Sequence, residues 1–319
     1  EKKMIRNTVH VIINPASAAG RTGSRQSLIR HLLDRHLGCG YSLHVTARPL
    51  EATWSARNAI RDGCDLVIAV GGDGTVQETV NGFFMAGRPI NPKCRLGIIG
   101  SGTGRGFCQS LGLPTTLAAQ AEVACRGGER TIDIGHIIFS GETGGKLSRY
   151  FANECQVGIG SEVVRRMHSR QKMLGGRAAF GLSTLAAVFT YPDHLMTVRV
   201  DDQRLESRRL IAVMVGNGDH AAGGMRLTPQ ARLDDGLLDI MLIQQQSLPC
   251  RLRNFSRIYS GRHQGQKDFR FLKGRRIEIE SAESVGVEAD GEWLGHLPCQ
   301  VEVILAGLRV RALPGHREE

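Results

Sequence analysis

The stretch Val70-Gly71-Gly72-Asp73-Gly74-Thr75-Val76-Gln77-Glu78-Thr79-Val80-Asn81-Gly82 decides how this chain is read. It follows the apolar run Asp65–Val70, whose continuity predicts a strand buried in a parallel sheet. It leads into Val76, Val80, Phe83 and Phe84, spaced for a helix over Val76–Phe84. Three glycines and one carboxylate therefore stand where a strand gives way to a helix. In an open α/β sheet, ligands bind there, beyond the carboxyl ends of the strands. Glycines let phosphate oxygens reach main-chain N–H groups, and a helix N-terminus favours negative charge. Asp73 by itself repels a phosphate, so its place makes sense with a divalent cation between the two. The local expectation is a metal–nucleotide site, although a lone Gly-Gly-Asp-Gly also suits a tight turn with a solvated carboxylate. The stretch is not a Gly-Lys-Ser/Thr phosphate loop, and its glycine spacing is wrong for a dinucleotide fingerprint.

Strand and helix signals alternate around it. Strands are predicted at Val9–Ile13, Tyr41–Thr46, Leu66–Val70 and Arg95–Ile99, and helices at Ser24–Leu37 and Glu51–Arg61. Such alternation implies a parallel sheet with helices on both faces. Beyond about residue 130 the pattern turns to short apolar runs parted by Gly, Asp and Asn. These are Thr131–Ser140, Tyr150–Ile159, Met196–Val200, Leu210–Gly216, Leu238–Ile243, Ile277–Ser281, Val285–Ala289 and Val301–Leu305. They predict a β-rich second domain, interrupted by one helix over Ala178–Phe189. Gly141–Gly145 reads as a hairpin turn.

The 319 residues suffice for two ordinary domains, and 41% hydrophobic content supports real cores. No run reaches the roughly 18–20 apolar residues of a membrane-spanning helix, and no signal region is expected at the N-terminus. Eight cysteines without a Cys-x-x-Cys pair argue against a zinc site and a disulfide framework, and fit a reducing cytosol. The net charge of +10 points to nucleic acid, anionic membrane or polyphosphate partners. With aromatics at 5% and no basic–aromatic pattern, nucleic acid ranks last and is not expected as a partner.

Four further motifs carry chemistry. Asn14-Pro15-Ala16-Ser17-Ala18-Ala19-Gly20 follows the first strand and suits phosphate or ribose contacts, or a plain βα loop. Gly100-Ser101-Gly102-Thr103-Gly104-Arg105-Gly106 is a second glycine turn placed to face the first, where Arg105 could pair with phosphate. Gln230–Asp239 sets Asp234, Asp235 and Asp239 near Gly236, a set that could hold a hard cation or line a solvated turn. Asp290-Gly291 is a strong hairpin signal, with Glu292 directly after it.

Together these elements resemble the diacylglycerol kinase catalytic-domain family, which includes bacterial soluble lipid kinases and sphingosine and ceramide kinases. The likeness spans nearly the whole chain in order. It runs from Asn14-Pro15 through Gly71–Thr75 with Glu78 and Asn81-Gly82, then Gly102-Thr103-Gly104, Asp133-Ile134-Gly135 and Phe151-Ala152-Asn153. Gly158-Ile159-Gly160, Gly216-Asn217-Gly218, Gly223-Gly224-Met225, Pro229–Asp239 and Asp290-Gly291-Glu292 complete it. The Gly-Gly-Asp-Gly-Thr motif alone is shared with NAD kinases; the two downstream acidic motifs make the lipid-kinase resemblance specific.

The resemblance implies an α/β N-terminal domain similar to NAD kinase and phosphofructokinase, over residues 1–134 and joined by 306–319. It implies a C-terminal β-sandwich over 135–305, with the active-site cleft between the two domains. It implies ATP and Mg²⁺ as cofactors and a lipid hydroxyl as acceptor. Asn14, Pro15, Ala16, Ser17, Ala18, Thr46, Gly72, Asp73, Gly74, Thr75, Val76, Gln77, Glu78 and Thr103 would contact ATP. Glu292 would accept the hydroxyl proton, with Asp73 acting beside the phosphates. Asp235 would bind magnesium, with Arg232 and Leu237 contributing only through main-chain carbonyls. A cytoplasmic enzyme peripherally bound to an anionic membrane is expected, with a homodimer as an open alternative to the monomer. Arg165, Arg166, Arg170, Lys172 and Arg177 are candidates for the membrane contact, or else form a solvated basic helix face.

The second glycine loop departs from the family's Pro-x-Gly-Thr-Gly-Asn-Asp-Phe: Gly100 stands for the Pro, Arg105 for the Asn and Gly106 for the Asp. In relatives that Asp joins a metal-linked network with the counterparts of Asp73 and Asp133, so Arg105 could instead hold a phosphate or an anionic head group. A soluble-metabolite kinase of the NAD type, or a catalytically weak nucleotide or lipid sensor, are the alternatives.

Overall fold

A computed structural model describes residues 8–102, 105–174, 176–221 and 224–313, without the side chains of residues 168–178. The chain divides into two compact units. One comprises residues up to Ile132 and from Ala306 onward; the other is Asp133–Leu305.

The first unit begins with β1 (Val9–Ile13), α1 (Arg21–Ser24), α2 (Gln26–Leu37), β2 (Tyr41–Val45) and α3 (Glu51–Arg61). It continues with β3 (Leu66–Gly71), α4 (Asp73–Phe83) and a short ribbon of β4 (Phe84–Met85) and β5 (Arg88–Pro89). Then come β6 (Arg95–Gly100), α5 (Gly106–Ser110) and α6 (Leu117–Arg126). β1 lies between β2 and β3, and β3 pairs with β6, all in parallel. Every residue of β3 is buried, which is why it reads as an unbroken apolar run. Ile29 and Leu33 of α2 and Ala121 and Ala124 of α6 pack on Val11, Ile13, Ile68, Val70 and Ile99. α3 and α4 pack on each other and against β1 and β3. The strand expectations hold to within a residue. The helix expected at Val76–Phe84 starts three residues earlier, so Asp73 is its first residue rather than part of a loop. α6 carries no strong apolar stripe; its signal is the N-cap Thr116, whose hydroxyl accepts the Ala119 N–H at 3.4 Å.

The division into units falls within β7 (Gly128–Ser140), which leads into β8 (Lys146–Phe151), β9 (Glu154–Gly158), α7 (Ile159–Leu174) and α8 (Gly176–Thr190). There follow β10 (His194–Val200), β11 (Gln203–Arg204), β12 (Arg208–Gly216), β13 (Leu238–Gln244), α9 (Leu248–Ser260) and β14 (Phe269–Gly274). β15 (Arg276–Glu280), β16 (Gly286–Ala289) and β17 (Glu292–Ala312) close the chain, and the last residues of β17 belong to the first unit. There Arg309 and Val310 pair in parallel with Arg95 and Leu96 of β6.

The strands of the second unit are antiparallel: β12 pairs with β9, β10 and β13, β9 with β16, and β15 with β10 and β17. Their inward side chains, among them Phe151, Val157, Val213, Ile240, Ile279 and Val287, form one core. Gly141–Gly145 turns β7 into β8 as the glycines predict. The run expected at Tyr150–Ile159 is two strands, because Ala152-Asn153 bends between β8 and β9. The second domain is less purely β than expected, because α7 and α9 accompany α8. α9 is marked by Pro249 in its first turn and by Gly261 at its C-cap at φ 69°.

Candidate active site

Because β1, β3 and β6 are parallel neighbours, the loops after all three leave the same edge of the sheet. Asn14 follows β1; its N–H donates to Val70 O at 2.9 Å and its side-chain amide to Thr75 Oγ1 at 3.0 Å. Its Oδ1 accepts the Ala16 N–H at 3.0 Å. The third loop joins through Ser101, whose N–H donates to Gly71 O at 2.8 Å and whose hydroxyl lies 2.6 Å from Thr22 Oγ1 and 3.3 Å from Ser17 Oγ. The two glycine turns meet backbone to backbone: a Cβ on Gly102 would stand 2.8 Å from Gly72 Cα. Ala18 and Ala19 hold φ of 55° and 57°, a strained conformation of the kind that collects at ligand sites.

Asp73 opens α4 at the centre of these loops. Burial raises its pKa, opposed by the Arg105 main-chain N–H that bonds it and by the Arg105 charge. A bound cation would offset that burial, so Asp73 fits as a single carboxylate ligand of magnesium. Gly74 and Thr75 lie in the first turn of α4, and Pro15 O accepts the Gly23 N–H at 3.0 Å. Thr46, Val76 and Gln77 are buried. The Glu78 carboxylate turns away to accept the Ala52 N–H at 3.2 Å, in the first turn of α3. Thr103 lies outside the described residues.

The Arg105 guanidinium, whose charge also acts on Asp73, donates to Pro114 O at 2.6 Å and Thr115 O at 3.5 Å, tying down its own loop. Its backbone is left-handed, φ 51° and ψ 25°, which favours the Asn of the family pattern over Arg.

In the second unit, Arg232, Asp235 and Leu237 lie in the turn before β13. Asp235 Oδ1 accepts the Leu237 N–H at 3.1 Å, and Lys273 Nζ lies 3.4 Å from Asp235 and 3.1 Å from Asp239. Asp133 anchors the same turn: its Oδ2 accepts the Gly236 N–H at 2.7 Å and its N–H donates to Leu233 O at 2.6 Å. Among the described residues no three His, Cys, Asp or Glu side chains converge on a metal position. A cation at Asp235 fits only where Lys273 withdraws, since the ammonium already neutralises that carboxylate.

Glu292 is the first residue of β17, half-buried, across the hairpin from Ala289. Asp290 and Gly291 form the turn with φ of 48° and 82°, as the Asp-Gly pair predicts. The Asp290 carboxylate accepts the N–H groups of Ala152, Asn153 and Glu154 at 2.8, 3.1 and 2.9 Å. Beside the hairpin opens an apolar pocket, about 830 Å³ counting its mouth, walled by side chains such as Val163, Phe180, Ile211, Met214 and Phe255. Glu154, Gln156 and Glu288, residues that the sequence reading passed over, are among its polar lining. The signal was present: Glu288 interrupts the apolar Val285–Ala289 and Glu154 interrupts Tyr150–Ile159.

Of the proposed membrane-facing cations, Arg165 and Arg166 both pair with Glu162, which reduces their net charge. The side chains of Arg170, Lys172 and Arg177 lie outside the described residues. No helix among the described residues is long and apolar enough to cross a membrane. All eight cysteines are free thiols.

An NAD-kinase-like fold with these motifs defines a class of kinases, and the comparisons specify it. Residues 8–137 match the diacylglycerol kinase catalytic domain, and residues 154–312 match the YegS C-terminal NAD kinase beta sandwich-like domain. The chain belongs to the diacylglycerol kinase catalytic-domain family and is an enzyme of the lipid-kinase class. It is 28% identical to a diacylglycerol kinase of Bacillus subtilis over 294 residues, 90% of each chain. It is 29% identical to one of Staphylococcus haemolyticus, over 92% of this chain and 84% of that one. The crystal structure of a diacylglycerol kinase from Bacillus anthracis matches with a TM-score of 0.75 at 25% identity, covering 96% of this chain and 97% of that one. Yeast NADH kinase shares the fold, with a TM-score of 0.52 at 12% identity over 95% of this chain and 83% of that one.

Proposed function

We propose that the chain transfers the γ-phosphoryl group of ATP to a lipid hydroxyl, the acceptor being diacylglycerol or a related lipid. The observation that carries this reading is the convergence of the Asn14, Gly72 and Gly102 loops at one sheet edge. There main-chain N–H groups and the α4 N-terminus suit a polyphosphate. Phosphoryl transfer depends chiefly on positioning and charge neutralisation. Magnesium, when bound, would supply positive charge to the phosphates. Asp73 would hold it, and the Ser17–Thr22–Ser101 hydroxyl cluster would keep the loops in place.

In the second unit Glu292 would take the acceptor's hydroxyl proton as the new O–P bond forms and the bond to ADP breaks. The apolar pocket would hold the lipid chain. Leu182, Leu185 and Phe189 on α8, and Leu248, Leu252 and Tyr259 on α9, are exposed at helical spacing. With the basic Arg253 between them in sequence, they suit peripheral contact with an anionic bilayer from the cytoplasmic side. Coupled measurement of ADP formation tests the reading: turnover should require lipid micelles. Lipid-independent ADP formation from a soluble acceptor would contradict it.

A further inference from the structure

A two-residue hairpin turn leaves its central N–H groups outside the strand ladder, and they need partners from elsewhere. In the turn before Glu292, both are taken by residues of one strand pair. The Asp290 N–H donates to Glu154 O at 2.9 Å, and the Gly291 N–H donates to Glu288 Oε2 at 2.9 Å. Glu288 opposes Gln156 on β9, and Glu154 stands two residues from Gln156, so all three share one face. Glu154 and Glu288 are buried, and their carboxyls hydrogen-bond each other. Burial first, and then the Glu154 charge, hold Glu288 well above the carboxylate range, so the pair keeps one proton. Asp290 pushes the same way, and the Gly291 N–H opposes. The elements packed around the pair bring no charge that cancels this. Burial keeps the Cys155 thiol of β9 and the Cys299 thiol of β17 neutral, and β17 otherwise brings Glu292 and His296, whose ring bonds Ser284 Oγ at 3.1 Å. On α7, Glu162 pairs with Arg165 and Arg166. Arg251 of α9 spends its guanidinium on the Tyr191 and Gln246 carbonyls at 2.6 and 3.3 Å.

An amide at position 288 would satisfy the Gly291 N–H without burying an ionisable group, which is costly. The carboxyl instead ties the turn to a proton. We propose that Glu154 and Glu288 are positioning residues: through their paired carboxyls and their hydrogen bonds to Asp290 and Gly291, they fix the turn that presents Glu292. This rests on the lipid-kinase reading, with Glu292 as its base, and adds a limit on the alkaline side. While the pair holds its proton, the two carboxyls attract and the turn is fixed. As pH rises and the proton leaves, two buried carboxylates repel, β9 and β16 are pushed apart at this end, and Glu292 loses its placement. Neither carboxyl touches the acceptor in this account; both act through the turn.

The test measures transfer from γ-labelled ATP to 1,2-diacylglycerol, or to the lipid labelled in a total bacterial extract, in mixed micelles from about pH 5 to about pH 9. Rates are expressed per folded molecule, with the folded fraction taken from denaturant titration. Wild-type kcat should fall on the alkaline side. Glu288→Met leaves the Gly291 N–H without its acceptor, and kcat should drop by about 10–100-fold, as misplacement of a reacting group does. KM for ATP should stay within about threefold. Glu288→Gln keeps the acceptor and cannot ionise, so it should retain at least about tenfold more kcat than Glu288→Met and lose the alkaline fall. Glu154→Gln also removes the second charge and should lose the same fall, so the pH profiles decide the matter where Glu288→Met does not fold. A pair that only stabilises the fold would change the folded fraction and leave kcat per folded molecule and its pH profile as in the wild type. That result, or an alkaline fall unchanged in both Gln variants or missing from the wild type, overturns the inference and leaves the lipid-kinase reading intact. No labelled lipid from the wild type overturns both.

Discussion

Asp290 and Glu154 exchange two hydrogen bonds. The Glu154 N–H donates to Asp290 Oδ1 at 2.9 Å, and the Asp290 N–H donates to Glu154 O at 2.9 Å. The turn that carries Glu292 is thereby fastened to the bend between β8 and β9. Asp290→Ala removes the acceptor of three main-chain N–H groups and keeps a left-handed position that Ala tolerates poorly. It should destabilise the protein by roughly 3 kcal/mol. Asp290→Asn, which tolerates the turn and keeps one acceptor oxygen, should lose about half as much. Chemical denaturation of both variants measures the difference; equal losses would contradict this assignment.

Glu292→Gln keeps the size of the side chain and removes its basicity. Turnover should fall by about 10²–10⁴-fold. ATP affinity, measured calorimetrically, should stay within about twofold, since the nucleotide loops belong to the first unit.

Gly102→Ala places a methyl group against Gly72 Cα. The two glycine turns must separate, so ATP affinity should drop by about tenfold or more. Asp73→Asn keeps the shape but weakens cation binding, and the magnesium dependence of ATP binding should flatten. Unaltered Mg–ATP titrations in both variants would remove these loops from the nucleotide site.

A half-buried histidine and a buried carboxyl give stability opposite slopes with pH. Burial, with a smaller contribution from His44, lowers His10 to about 4, and its ring bonds Ser42 Oγ at 2.6 Å and Ser55 Oγ at 2.7 Å. A depressed histidine contributes stability above its unfolded pKa, near 6.5, that is lost as pH falls towards 4. Glu288 has the opposite sign. Its pKa is raised, so the unfolded chain releases the proton first and stability falls as pH rises beyond the usual carboxylate range. Denaturant titrations over pH 4–8 should show the acid-side loss shrink in His10→Gln and the alkaline-side loss shrink in Glu288→Gln.

The strands of the first unit were legible because β1, β3 and β6 are nearly continuous apolar runs ended by Asn14, Gly72 and Gly100. Their turns also told where the loops meet, since parallel strands end on one edge. α6 and α9 were not legible, because their buried faces are small or interrupted by arginines, and only Thr116, Pro249 and Gly261 mark them. The direction of the Arg105 guanidinium could not be read, because the carbonyls it reaches belong to an irregular segment nine and ten residues on. The Glu154–Glu288 contact joins residues 134 positions apart and needs the pairing of β9 with β16. A single carboxylate in each of two apolar runs was its only trace in the sequence.

The most direct measurement is transfer of γ-labelled phosphate from Mg–ATP to a total bacterial lipid extract in mixed micelles, with NAD in a parallel reaction and Glu292→Gln as control. A labelled lipid formed by the wild type and lost in the variant is the predicted result. Label in NAD alone, or in neither acceptor, would contradict lipid-kinase activity for this chain.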